Sequence, residues 1–216
     1  MTLTLAFDCA VSGLGAALVR DGTCLARTTS PGRDQPARLV PAIAGLFDEA
    51  RVVRRDIGLI AVTTGPGSFT GVRVGLATAR GLALALGVPL AGIATTTVLL
   101  AQDPADVAAV DSRLGDWFCA LRGEEGPFLA DAAALAARLK GRTIAIVGSG
   151  TEALASALRA EGIDATPREQ LPDVTVLARF AIEKGAAHWR EKGLPRPLYL
   201  RGVSVTAPDG SRRTVE

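Results

Sequence analysis

Apolar positions fall into short alternating runs at the start of the chain and into helical stripes after it. Residues 2–8, 15–20 and 23–28 alternate with a period of two, and Asp21-Gly22 is a hairpin signal between the last two runs. The pattern predicts a three-stranded antiparallel meander whose first strand ends on Asp8. Residues 30–35 read as a loop. Leu39, Val40, Ile43, Leu46, Phe47 and Ala50 mark one face of a helix over 36–53, which Pro41 should kink or delay. Residues 59–64 form an apolar run suited to a buried strand. The turn Gly65-Pro66-Gly67 follows, and Ser68 is placed to cap a helix running to Leu86.

That helix is apolar nearly all round. Gly71, Gly75 and Ala79 recur every fourth residue as a flat stripe; Val72, Leu76, Ala83 and Leu86 lie beside it, and Val74, Leu82 and Ala85 on a further side. Only Arg73 and Arg80 interrupt the surface. A helix of this kind must be covered on more sides than its own sheet can reach, so we expect a partner subunit to cover the rest and the small-residue stripe to receive a second backbone. A strand at 90–94 and a helix from Thr95 to about Gln102 complete the first half.

Asp103-Pro104 marks a boundary, because the opening pattern then returns. Ala6-Phe7-Asp8 followed by Ala17-Leu18 is echoed, at the same spacing, by Ala109-Val110-Asp111 followed by Ala120-Leu121. Next come a helix over 129–140, a strand over 143–147, the turn Gly148-Ser149-Gly150, a helix over 151–161 and a long helix over 174–192 capped by Asp173. The tail is extended and expected to be disordered beyond about 207. The expected fold class is α/β, two duplicated mixed-sheet lobes spanning 1–103 and 104–216.

The chain has 216 residues, 48% of them hydrophobic and 21% charged, with a net charge of +2. This is ample for a core and gives no case for a basic nucleic-acid surface. Cys9, Cys24 and Cys119 show no CxxC spacing and read as free thiols in a reducing compartment. Residues 1–8 lack a basic leader pattern. The charge-free stretch 81–101 is as long as a membrane span, but Gly87, Pro89 and Gly92 divide it into helix, turn and strand. A cytoplasmic chain without a membrane segment is expected.

Catalytic chemistry is sparsely supplied. The single histidine, His188, sits late in a helix beside Trp189, where interaction with terminal carbonyls is the ordinary role, and no metal site is expected. Asp8 and Asp111, each ending a strand, either cap turns or face a metal–nucleotide between lobes. Gly65, Gly67, Ser68 and Gly148 are candidate cleft residues at strand-to-helix joints. The first joint lacks the lysine of a P-loop and the GxGxxG spacing. Ser68 has no triad to activate it.

The segments LAFDCAVSGLGAAL, TTGPGSFTGVRVGLATARGLAL, AVDSRLGDWFCAL and PLYL together resemble the TsaB (YeaZ) family across nearly the whole chain. The resemblance implies the two-lobed fold of actin, Hsp70 and the sugar kinases. It implies a non-catalytic subunit of the machinery that forms N6-threonylcarbamoyladenosine next to the anticodon of tRNAs reading ANN codons. Its implied partners are the paralogue TsaD, which performs the transfer, and the ATPase TsaE. A homodimer is expected in isolation, and tRNA contact only through the complex. The HxxxH metal motif of TsaD has no counterpart in GRDQPARLVP, and Gln35 stands where relatives often carry histidine. No cofactor is expected on this subunit, with ATP or ADP confined to the complex.

The expected interface comprises Leu39, Ile43 and Leu46 with Thr70, Gly71, Arg73, Val74, Gly75, Ala77, Thr78, Arg80, Gly81, Leu82 and Ala85, burying about 1,600 Å² if of standard size. Val74, Leu82 and Ala85 are central in this scheme, and Arg73 and Arg80 are rim charges. Two competing readings are a stand-alone ATPase or kinase using Asp8 and the cleft, and a glycoprotease-like peptidase, which the missing histidines disfavour.

Overall fold

A computed structural model describes residues 2–11, 13–30, 32, 35–139, 141–201, 203–206 and 212–215. Its first half runs β1 Leu3–Asp8, β2 Leu14–Arg20, β3 Thr23–Ser30, α1 Gln35–Ala50, β4 Ile57–Thr63, α2 Phe69–Leu86, β5 Leu90–Ile93 and α3 Thr95–Gln102. The second half repeats the order: β6 Val107–Asp111, β7 Trp117–Leu121, β8 Phe128–Ala130, α4 Ala132–Leu139, β9 Ile144–Ser149, α5 Thr151–Ala160, β10 Ala165–Glu169 and α6 Val174–Lys184. Helix α7 Ala186–Lys192 and the strand pair β11 Val203–Thr206 and β12 Arg212–Val215 follow.

Each half builds one five-stranded sheet, and the two sheets have the same topology. The orders are β3-β2-β1-β4-β5 and, read in the same direction, β8-β7-β6-β9-β10. In both, the first three strands are antiparallel and the last two join the first strand in parallel. This doubled sheet is the expected α/β architecture of two duplicated mixed-sheet lobes. The hairpins differ in one respect. Asp8 pairs with Gly15 but Asp111 with Trp117, so the second connection is one residue shorter and Ala109 faces Cys119 instead of Ala120. The echo in the sequence locates the repeat correctly but is offset by one residue in the returning strand.

Burial follows the strand period of two. On one face of the first sheet Leu3, Leu5 and Phe7 pack under α1 and α2, against Leu39, Ile43, Leu46, Phe47, Val72 and Leu76. The other face is made of small residues: Ala17, Ala6, Ala61 and Ala91 lie side by side across four strands. Their lack of bulk lets α6 lie close, with Leu177, Ala178 and Ala181 packed on them. The division at 103 therefore describes the strands only, since α6 and α7 come from the second stretch and pack on the first sheet. Conversely, Leu99 of α3 joins the core of the second sheet with Ala108, Val110 and Val147.

Several local expectations need correction. Strand β8 falls where a helix start was expected, and β10 in a stretch for which no element was expected; β8 has three residues and β10 contains Pro167, and both are edge strands. The helix expected over 174–192 breaks at Gly185, whose φ of +82° ends α6 before α7 begins. Pro41 lies inside α1, six residues beyond its first residue, Gln35, and the helix continues through it. Ser68 and Asp173 act as the expected caps, accepting from Gly71 N and Thr175 N. Residues 207–211 lie outside the described ones, while 203–206 and 212–215 pair antiparallel.

Candidate docking face and interlobe cleft

The joint between β4 and α2 explains its glycines by contact. Ser68 N donates to Ala10 O at 2.6 Å, clamping the joint onto the loop that leaves β1. A Cβ on Gly67 would lie 2.0 Å from the Ala10 carbonyl oxygen, and one on Gly71 1.9 Å from that of Cys9. Both positions are thus glycine because another backbone passes there. Gly148 repeats the device in the second half: a Cβ would lie 1.8 Å from Ala109 O. Gly65, with φ of +90°, turns the chain out of β4.

The stripe of Gly71, Gly75 and Ala79 accordingly points inward, at its own sheet. Gly71 and Gly75 are buried, as are Leu39, Ile43 and Leu46, which belong to the core under α1. These five cannot form the outer contact expected of them. The second backbone that the stripe receives is the chain's own Cys9–Ala10.

The outward side of α2 is different. Ala77, Gly81 and Ala85 are exposed, Val74, Thr78 and Leu82 are half-buried, and Leu84 is 86% exposed. Arg73, Ala77, Gly81 and Leu84 follow one another at helical spacing on that face. On neighbouring α1, Val40 is 59% exposed. Leu84 and Val40 are exposed apolar residues that the expected interface set did not include. For Leu84 the available signal was its position three residues beyond Gly81 on the Ala77–Gly81 row. Among the described residues α2 is the one helix long and apolar enough to cross a membrane, yet a third of it is buried in the core.

The two arginines are committed to the C-terminal segment. Arg73 Nε donates to Tyr199 Oη at 2.7 Å, and its guanidinium lies 3.5 Å over the Phe69 ring, which is 5.5 Å from that of Tyr199. Arg80 Nη2 donates to Pro195 O at 2.5 Å. They are internal ties where free rim charges were expected. Thr70 lies on the cleft, not on the outer side of α2.

The cleft between the halves has a volume of about 780 Å³. Gly67, Ser68, Phe69 and Thr70 line it from the first half, and Asp111, Ser112, Arg113, Ser149, Gly150 and Glu169 from the second. Three expected cleft residues, Gly67, Ser68 and Asp111, are present. Asp8, Gly65 and Gly148 lie outside its lining. Asp8 is buried and accepts from the Thr63 hydroxyl and from Ala10 N at 3.1 Å, closing its own strand end. Burial pushes its carboxyl above the ordinary range, against the lowering pull of those hydrogen bonds. Asp111 Oδ1 accepts from Arg113 N at 2.7 Å in the same turn role.

At the second wall, Glu169 accepts from Gly150 N and Thr151 N, each at 3.0 Å, so a carboxylate of the chain covers the start of α5. Ser68 Oγ accepts from Gly71 N at 3.2 Å. His188 is in α7, edge-on to Trp189, whose ring nitrogen donates to Ala181 O at 2.8 Å. No group of three or more metal-ligating side chains occurs among the described residues.

The fold and these sites define a two-lobed α/β chain with an apolar outer helix face. A family model described as TsaD, tRNA N6-adenosine threonylcarbamoyltransferase, matches residues 32–120. The chain is similar to a protein of Escherichia coli named tRNA threonylcarbamoyladenosine biosynthesis protein TsaB, 34% identical over 131 residues, 56% of each chain. A Bacillus subtilis protein of the same name is 34% identical over 99 residues, 45% of this chain and 43% of that one. In these alignments the chain spans about half the length of the curated relatives it matches. A solved Pseudomonas aeruginosa protein, described as uncharacterized with similarity to peptidase YEAZ, covers 93% of this chain and 100% of its own at 26% identity, with a TM-score of 0.73. In sequence the chain is thus similar to proteins named TsaB, and in fold to a solved protein described by its similarity to YEAZ.

Proposed function

We propose that this chain serves tRNA threonylcarbamoyladenosine biosynthesis as a docking subunit, without chemistry of its own, that pairs with a TsaD-type transferase, with a TsaE-type ATPase joining the pair. The observation that carries this reading is the outward face of α2 and α1: Leu84, Val40, Ala77, Gly81 and Ala85 in water beside half-buried Val74 and Leu82. A continuous apolar helix face on a protein whose core is otherwise closed is suited to a second helix pair laid against it. The same face would let two copies pair in isolation.

The cleft supports the non-catalytic part of the reading. Its serine caps a helix, its aspartate closes a turn, and a resident carboxylate occupies the start of α5. The joint Gly65–Ser68 is shaped by passage of the chain's own backbone, so its resemblance to a phosphate loop has a structural cause.

The test is reconstitution. Purified TsaD-type and TsaE-type proteins are incubated with ATP, threonylcarbamoyl adenylate and an ANN-decoding tRNA, with and without this chain. Modified adenosine should form only when the chain is present, and the chain alone with ATP should release no ADP. Equal modification without it, or turnover by the chain alone, would overturn the reading.

A further inference from the structure

The segment 194–201 leaves α7 and crosses from one half of the molecule to the other. Its first part is fixed. Pro195 packs so tightly on β5 that a Cβ on Gly92 would lie 2.2 Å from it, and Leu198 N donates to Thr64 O at 2.8 Å. Arg80 holds Pro195 O, and Tyr199 is held by Arg73 and Phe69. Its far end is tied to the second half by the ion pair of Arg201 with Asp116. Asp116 also accepts from the Ser112 hydroxyl, and Ser112 lines the second wall of the cleft. Phe69, stacked with Tyr199, lines the first wall. The segment therefore joins the two walls, through several contacts at one end and a partly exposed ion pair at the other.

The same residues reach the outer face of α2. Arg73 and Tyr199 are exposed, Tyr199 by 42%, and Arg73 begins the row that continues through Ala77, Gly81 and Leu84. We propose that 194–201 is a latch: the Arg201–Asp116 pair holds the two halves closed, and a partner seated on α2 holds the latch shut by covering Tyr199 and Arg73. The partner half of this rests on the docking role proposed above. A partner that covers Tyr199 and Arg73 shields their contact from water and keeps the chain in place two residues before Arg201, so Arg201 spends less time away from Asp116. By linkage, loss of the pair weakens partner binding by the factor by which the partner favours closure. A half-exposed ion pair changes such an equilibrium by up to about five-fold.

The experiment places spin labels on cysteines at Arg55 and Glu161, both exposed and one in each half, in a Cys24→Ser background, and reads the distance distribution by pulsed dipolar spectroscopy. The unaltered latch should give one narrow distance. Arg201→Asp should broaden it, and adding Asp116→Arg should narrow it again, a rescue that a mere folding defect would not give. A TsaD-type transferase should narrow the distribution of Arg201→Ala and bind that variant up to about five-fold more weakly. Overlapping distributions for wild type and Arg201→Asp, or no rescue, would overturn the latch. Unchanged affinity for Arg201→Ala with a distribution that stays broad would overturn its coupling to the partner. Failure of the transferase to bind even the wild type would instead overturn the docking role, and the charge swap would still decide the latch.

Discussion

Replacing Gly71 with alanine tests directly which side of α2 faces inward. The added Cβ would lie 1.9 Å from the Cys9 carbonyl oxygen and 3.0 Å from its carbon. The obstacle is backbone, so no rotamer relieves it; either α2 or the loop after β1 must move. Overpacking of this kind costs roughly 1–3 kcal/mol or more, and alanine's better helix propensity returns at most about 1 kcal/mol. A net loss of about 2 kcal/mol corresponds to a melting point lower by roughly 4–8 °C for a chain of this size. Two neighbours serve as controls. Gly81 is exposed with nothing within 4 Å of an added Cβ, so Gly81→Ala should gain up to about 1 kcal/mol. Gly75→Ala meets Val62 Cγ2 at 3.5 Å and Cys9 Cβ at 3.8 Å, ordinary contacts, and should melt near wild type. Circular-dichroism melts and urea midpoints of the three variants give the order. If Gly71→Ala melted like wild type, the small-residue stripe would not lie on Cys9, and the assignment of Leu84 to the outer side would fall with it.

Two further outcomes follow from buried groups. Cys9 and Cys119 are pushed up to about 12, chiefly by burial and secondly by Asp8 and Asp116 respectively. A thiol reagent at about pH 8 should therefore label only half-buried Cys24 in the native chain and all three cysteines in denaturant; fast labelling of two or more in the native chain would contradict this burial. Asp8 has a folded-state value above its ordinary 3.8, so the stability it contributes is present below the unfolded value and lost as pH rises through the folded one. Asp8→Asn, whose amide oxygen can still accept from Thr63 and Ala10, should be at least as stable as wild type at about pH 7 and lose that advantage on acidification. Urea midpoints across pH check this, and a difference independent of pH would refute it.

The repeat of strands, the caps at Ser68 and Asp173 and the burial of β4 were legible because each is a local signal: alternation, a capping side chain, an apolar run. The edge strands β8 and β10 were not, since three residues or a proline-bearing run carry no periodicity of their own. The glycine stripe on α2 announces that a backbone passes nearby but does not say whose. Only the register of β1 and its outgoing loop shows that it is the chain's own Cys9–Ala10. Nor can a helix pattern reveal that Arg73 and Arg80 are engaged by residues 115–126 positions later in the sequence. What was readable at the cleft was that chemistry is poorly supplied; that Asp8 closes its own strand end depends on Thr63 arriving beside it from β4.

One affinity measurement tests most directly whether the outward side of α2 is a docking face. Leu84 is 86% exposed, so Leu84→Asp should leave the melting point of the isolated chain within a few degrees of wild type. Titrated against a TsaD-type transferase by isothermal calorimetry, that variant should bind at least about ten-fold more weakly, because a carboxylate would be desolvated where an apolar contact is made. Binding as tight as that of the wild type would contradict the account.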